Sequence, residues 1–131
     1  MDRDSKIRGK SVLIVDDSLQ MQRLVRQLLE NAGAGDTMFA SNGLEALELL
    51  RRRSFDLIIA DWKMPEMDGL TFVSKIRADT AKPYARIPVI MLTGQSTIND
   101  VRTAVATGIN GYVIKPCSPK ALIAQVEKAM S

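Results

Sequence analysis

The chain has one cysteine, Cys117, and no histidine at all. No disulfide can form within it, so its stability has to come from packing, and a reducing compartment suits it. No apolar run approaches the roughly 20 residues that span a bilayer. The first ten residues are polar and charged, unlike the apolar centre of a secretory leader. These absences predict a soluble, cytoplasmic protein with no membrane insertion. Low-complexity tracts and internal repeats are also missing. The 131 residues suit one domain able to bury its own core, and they leave no room for a duplicated domain, a fused output module or a DNA-binding segment. The excess of basic residues is mild, a net charge of +3. Much of it comes from Arg3, Lys6, Arg8 and Lys10 in a short basic N-terminal tail, residues 1–10, and from the run Arg51, Arg52 and Arg53. Both read as solvated, because binding nucleic acid or an acidic partner would require a surface patch.

What is present is a regular alternation of short apolar strands with helical stretches. Ser11 to Val15 reads as a buried strand, followed by a helix with Met21, Leu24, Val25, Leu28, Leu29 and Ala32 on one face. Asp17 or Ser18 caps it, and Gly33 and Gly35 end it. Thr37 to Ala40 is a weaker strand. Asn42-Gly43 opens a helix with Leu44, Leu47 and Leu50 inward. Leu57 to Ala60 is a third strand, broken afterwards by Pro65 and Gly69. Leu70, Val73 and Ile76 mark the third helix, and 77–88 reads as a loop. Val89 to Leu92 is the fourth strand, and Ile98, Val101, Ala104 and Val105 face inward from the fourth helix. Tyr112 to Ile114 is the fifth strand, and Leu122, Ile123, Val126 and Ala129 line the last helix. Five strand–helix repeats over 11–131 predict an α/β domain with a parallel sheet covered on both faces.

The informative residues stand where the strands end. Asp16 and Asp17 follow the first strand, Asp61 the third, Thr93 the fourth and Lys115 the fifth. In an open parallel sheet, ligands bind at the carboxyl ends of the strands, so these five side chains are expected on one rim. Three clustered carboxylates repel one another, and a hard divalent cation removes that conflict. With only oxygen ligands nearby, Mg²⁺ suits the set better than zinc. Mg²⁺ takes only one or two carboxylates, which leaves an aspartate oxygen free as a nucleophile toward phosphorus. Lys115 can balance the charge of an incoming phosphoryl group, and Thr93 can donate a hydrogen bond to it.

The segments L-I-V-D-D-S at 13–18, D-W-K-M-P-E-M-D-G at 61–69, M-L-T-G at 91–94 and G-Y-V-I-K-P at 111–116 together resemble the receiver domain of bacterial response regulators. Within that family the chain is most similar to single-domain chemotaxis regulators of the CheY type. The resemblance implies a flavodoxin-like (βα)5 three-layer sandwich with strand order 2-1-3-4-5; CheY is a standard example of that order. It implies that Asp61 accepts a phosphoryl group from a sensor histidine kinase or a phosphotransfer protein, with Mg²⁺ held by Asp16, Asp17, Asp61 and the backbone carbonyl of Lys63. It implies that Thr93 and Lys115 bind the phosphoryl oxygens, that Thr93 and Tyr112 form the switch, and that Pro116 follows a cis peptide bond. The output is a surface formed by the fourth helix, fifth strand and fifth helix, read by a downstream protein. The chain is then a signalling switch, not an enzyme in the usual sense, and is a monomer or a weak dimer formed on activation. Lys63 and Gln95, two residues after Asp61 and Thr93, depart from the commonest pattern and are expected to set the dephosphorylation rate. Cys117 stands where chemotaxis regulators often carry an aromatic residue.

Each residue also has a plainer reading. Asp68 is expected to form the turn before Gly69, Trp62 to be part of the core, and Cys117 to be a small apolar side chain. Other functions fit less well. A non-phosphorylated pseudo-receiver would usually lack one of the acids, the threonine or the lysine. A flavin-type cofactor binder would need a hydroxyl- or glycine-rich phosphate loop after the first strand. An aspartyl-phosphate hydrolase would carry a second acid where Lys63 stands. Among receivers, a chemotaxis-type output and a phosphorelay intermediate both remain open.

Overall fold

A computed structural model describes residues 5–131. Five strands, β1 (Val12–Val15), β2 (Thr37–Ala40), β3 (Leu57–Ala60), β4 (Val89–Thr93) and β5 (Gly111–Ile114), form one sheet in the order β2-β1-β3-β4-β5. All the pairings are parallel. Five helices connect or follow the strands: α1 (Leu19–Asn31), α2 (Gly43–Arg52), α3 (Gly69–Ala78), α4 (Ile98–Thr107) and α5 (Pro119–Ala129). This is the flavodoxin-like three-layer arrangement expected from the alternation.

The period of two in each strand divides the interior into two cores. Leu13, Val15, Ile58, Ala60, Val89 and Met91 face one way, toward Ala46, Leu47 and Leu50 of α2, Phe72, Val73 and Ile76 of α3 and Ala104 of α4. Val12, Ile14, Leu57, Ile59, Ile90, Leu92 and Val113 face the other way, toward Val25 and Leu29 of α1 and Leu122 and Val126 of α5. The central strands are buried on both faces, which is why they read as unbroken apolar runs.

Helix starts follow local chemistry. Ser18, Asn42, Asp68, Thr97 and Ser118 each accept a backbone N–H through the side chain at an N-cap. Ser18, not Asp17, caps α1, which leaves Asp17 available to the rim.

Several expectations are corrected. Lys6, Arg8 and Lys10 are exposed as expected, but residues 5–10 are not solvated throughout. Ile7 is fully buried in the α1/α5 core, worth roughly 1.5–3 kcal/mol of apolar burial. Ser5 Oγ donates to Glu127 at 2.7 Å, and the Lys6 N–H reaches the same carboxylate. A strap with one apolar plug therefore ties the start of the domain to α5; Arg3 lies outside the described residues. The stretch 77–88 is not all loop either. α3 runs to Ala78, and a 3-10 turn at Pro83–Arg86 buries Tyr84 and Ala85. Leu24 and Leu44 are exposed rather than inward, because α1 and α2 each bury a narrower stripe than their apolar content suggests. The largest difference is α4, where only Ala104 is buried, while Ile98 is 70% and Val105 58% exposed. With β5 at the sheet edge, little sheet is left for α4 to cover.

Candidate metal and phosphoryl-acceptor site

Strand order reverses at β1, which lies between β2 and β3. The crevice at that point is where an open α/β sheet binds ligands. Asp16 is 4% and Asp61 9% exposed at the ends of β1 and β3, and Thr93 at the end of β4 is buried. Carboxylate oxygens of Asp16, Asp17 and Asp61 lie within 4.8 Å of one another. Lys115, following β5, places its ammonium between two of them, 3.0 Å from Asp16 Oδ2 and 2.9 Å from Asp61 Oδ2.

The remaining oxygens are also held. Asp61 Oδ1 accepts the Trp62 N–H at 2.7 Å, and Asp16 Oδ1 accepts the Ser18 N–H at 2.9 Å. Asp17 is exposed, and its carboxylate bonds to none of the described residues. Burial raises the Asp16 pKa above the ordinary carboxylate value, although the Ser18 N–H and Lys115 both work against that. Burial alone would lower the Lys115 pKa, but its hydrogen bonds to Asp61 and Asp16 outweigh burial and raise it. Three carboxylates against one ammonium leave two negative charges in a partly desolvated site. An all-oxygen donor set with that imbalance fits a hard divalent cation such as Mg²⁺.

The site's support is specific. Gly69 starts α3 hard against Asp61: a Cβ there would stand 2.1 Å from the Asp61 carbonyl oxygen, and the Gly69 N–H donates to Trp62 O at 2.7 Å. Asp68 is the N-cap of α3, its side chain accepting the Thr71 N–H, where a turn residue was expected. The Lys115–Pro116 bond is cis. Trp62 is half-buried against the α2/α3 core. Lys63 is exposed, and the Gln95 N–H lies 3.4 Å from Thr93 Oγ1. Tyr112 is half-buried and donates its hydroxyl to Gln95 O at 2.6 Å. Cys117 is half-buried, and burial pushes its thiol pKa up, as for an inert side chain. The basic run is internally engaged: Arg51 and Arg52 share Glu48, while Arg53 pairs with Asp36 and stacks on Phe55.

Sequence reasoning missed Gln22, a buried amide whose Nε2 donates to the Asp16 carbonyl at 2.7 Å. The one available signal was a polar residue next to Met21 on the face assigned to the core.

The fold and the site together define a doubly wound α/β domain with an acidic rim, a buried threonine and a bridging lysine. The chain belongs to the response regulator receiver domain family, whose model matches residues 12–127. It is 36% identical to chemotaxis protein CheY-3 of Vibrio cholerae over 121 residues, 92% of each chain. It is 38% identical to a CheY homologue of Campylobacter jejuni over 120 residues, 91% of each. Among solved structures, V. cholerae CheY4 superposes with a TM-score of 0.82 at 32% identity, covering 92% of this chain and 98% of that one. The signal receiver domain of a histidine kinase from Syntrophus aciditrophicus gives 0.82 at 33% identity, covering 92% and 89%. Among the described residues, no helix is long and apolar enough to cross a membrane.

Proposed function

We propose that the chain is a stand-alone response regulator that takes a phosphoryl group onto Asp61 and switches a protein-docking surface. The observation that carries this reading is the placement of Lys115 Nζ between Asp16 and Asp61, with Asp17 completing the acid cluster. Asp16, Asp17, Asp61 and the Lys63 carbonyl would hold Mg²⁺, which supplies positive charge to the phosphoryl oxygens. An Asp61 carboxylate oxygen attacks phosphorus, the bond to the donor's imidazole nitrogen breaks, and that nitrogen keeps the electron pair. Lys115 leaves its carboxylate partners for the new phosphoryl oxygens, and Thr93 donates its hydroxyl to another.

Thr93 turning toward the phosphoryl group draws on the same loop that accepts the Tyr112 hydroxyl. The switch is then a population shift of the β4–α4 loop and Tyr112. Exposed Ile98, Val105 and Ile114 on α4 and β5 support a protein as the reader of that shift. A chemotaxis-type output accords with the CheY relatives. Passing the phosphoryl group on to a phosphotransfer protein is the second reading, supported by the likeness to a kinase-linked receiver. A cytoplasmic location and a monomer or weak activation-dependent dimer belong to the same proposal. Lys63 and Gln95 would set the rate at which water attacks the acyl phosphate; an unchanged lifetime after replacing both would remove that assignment.

The test is a titration with Mg²⁺ and then beryllium fluoride, followed by Trp62 fluorescence, with Asp61→Asn as control. A saturable change in the wild type and none with beryllium fluoride in the control is expected. No response in the wild type, or equal responses in both, would overturn the reading.

A further inference from the structure

Along α1 the buried positions are Gln22, Val25 and Leu29, so a polar side chain fills the one nearest the rim. Gln22 is 5% exposed. Its partner at 2.7 Å is the Asp16 carbonyl, and only the NH₂ of an amide can meet a carbonyl. The bond fixes the Asp16 C=O direction and with it the rigid peptide plane leading into Asp17.

Asp16 is pinned through its other groups. Its N–H donates to Ala40 O, Oδ1 accepts from Ser18 and Oδ2 from Lys115. Asp17 has no such support: it is exposed, and no described residue holds its carboxylate. Its place within 4.8 Å of the other two acids therefore depends on the backbone before it. That backbone is clamped by Gln22 on one side and by the Ser18 cap on the other.

We propose that Gln22 is a positioning residue for the metal-binding loop, its buried amide setting the Asp16–Asp17 peptide and so the stance of Asp17. This rests on the reading of the acid cluster as a Mg²⁺ site. Gln22 touches neither metal nor phosphoryl group. It acts through Asp16, as supporting hydrogen bonds do around many metal sites.

The test compares Gln22→Met, which keeps length and packing but removes the donor, with Val25→Ala, which opens a cavity in the same helix without touching the loop. Mg²⁺ affinity is read from Trp62 fluorescence and stability from thermal melting. Order at the Asp17 and Ser18 amides is read by NMR exchange broadening in EDTA. Gln22→Met should weaken Mg²⁺ binding about tenfold and broaden both amides. Val25→Ala should lower the melting temperature and do neither. Wild-type Mg²⁺ affinity in Gln22→Met, or weakening that merely tracks melting temperature in both variants, overturns the proposal. If the wild type binds no Mg²⁺, the metal reading falls, and the EDTA spectra alone decide: sharp Asp17 and Ser18 amides in Gln22→Met refute the positioning role.

Discussion

The Tyr112 hydroxyl donates to the backbone carbonyl of Gln95 at 2.6 Å, joining the edge strand β5 to the loop between β4 and α4. The same residue's N–H faces Thr93 Oγ1. One short peptide segment thus touches both the threonine of the rim and the tyrosine at the sheet edge, which gives the two a physical connection without a long chain of contacts.

Tyr112→Phe keeps the ring and removes this bond, a change of about 1 kcal/mol in the loop's preference. Faster amide exchange in residues 94–98 is expected, with beryllium fluoride still bound at Asp61. Exchange identical to wild type would mean that the bond does not restrain the loop.

Lys115→Ala should separate metal from phosphoryl binding. Its removal leaves Asp16 and Asp61 without their shared cation. Mg²⁺ affinity is expected to rise several-fold, since a competing positive charge is gone. Beryllium fluoride binding is expected to fall by about an order of magnitude or more, having lost its cationic partner. Parallel titrations of both ligands distinguish these opposite signs.

Gly69→Ala would drive a methyl group into the Asp61 carbonyl oxygen. Both groups are backbone, so relief requires α3 to shift. A loss of about 3 kcal/mol is expected in urea unfolding, with a change in Trp62 emission in the folded state.

Ile7→Ala should cost about 2–5 kcal/mol, because the side chain is fully buried. Glu127→Ala should cost less, since the Ser5 and Lys6 bonds it removes lie near the surface. Equal, negligible effects in urea melts would show that residues 5–10 do not anchor the domain.

Tyr84 gives a pH test remote from the rim. Its hydroxyl donates to Asp79 at 2.8 Å, and that bond raises its pKa above the ordinary 10.0, with burial adding to it. The folded chain therefore keeps this proton after the unfolded chain has lost it. The stabilisation is complete below pH 10.0 and is lost as pH rises through the folded value. The stability difference between wild type and Tyr84→Phe should be flat below that window and shrink above it.

Much of the fold is legible in the chain itself. Strands buried on both faces are apolar along nearly their whole length, so β1, β3 and β4 stand out, and a cap such as Asn42 marks where a helix starts. Asp16 and Asp61 are visible because each directly follows such a strand, Thr93 because it closes β4, and Lys115 because it follows the short edge strand β5. Other features were less legible because their environment comes from distant residues. Nothing local distinguishes Ile98 and Val105, which are exposed, from Val25 and Leu29, which are buried. Ile7 is a lone apolar side chain among charged neighbours, and only its packing into the α1/α5 core makes it a core residue.

By itself, the sequence determined the alternation of elements and the types of side chain at the strand ends, because both depend on neighbours in the chain. Only the tertiary structure decided which oxygens of Asp16 and Asp61 face Lys115, that Gln22 supports the Asp16 carbonyl, and that α4 leaves its apolar side uncovered. Those are distances between residues far apart in the chain, set by how the sheet orders its strands and how much of it each helix can cover.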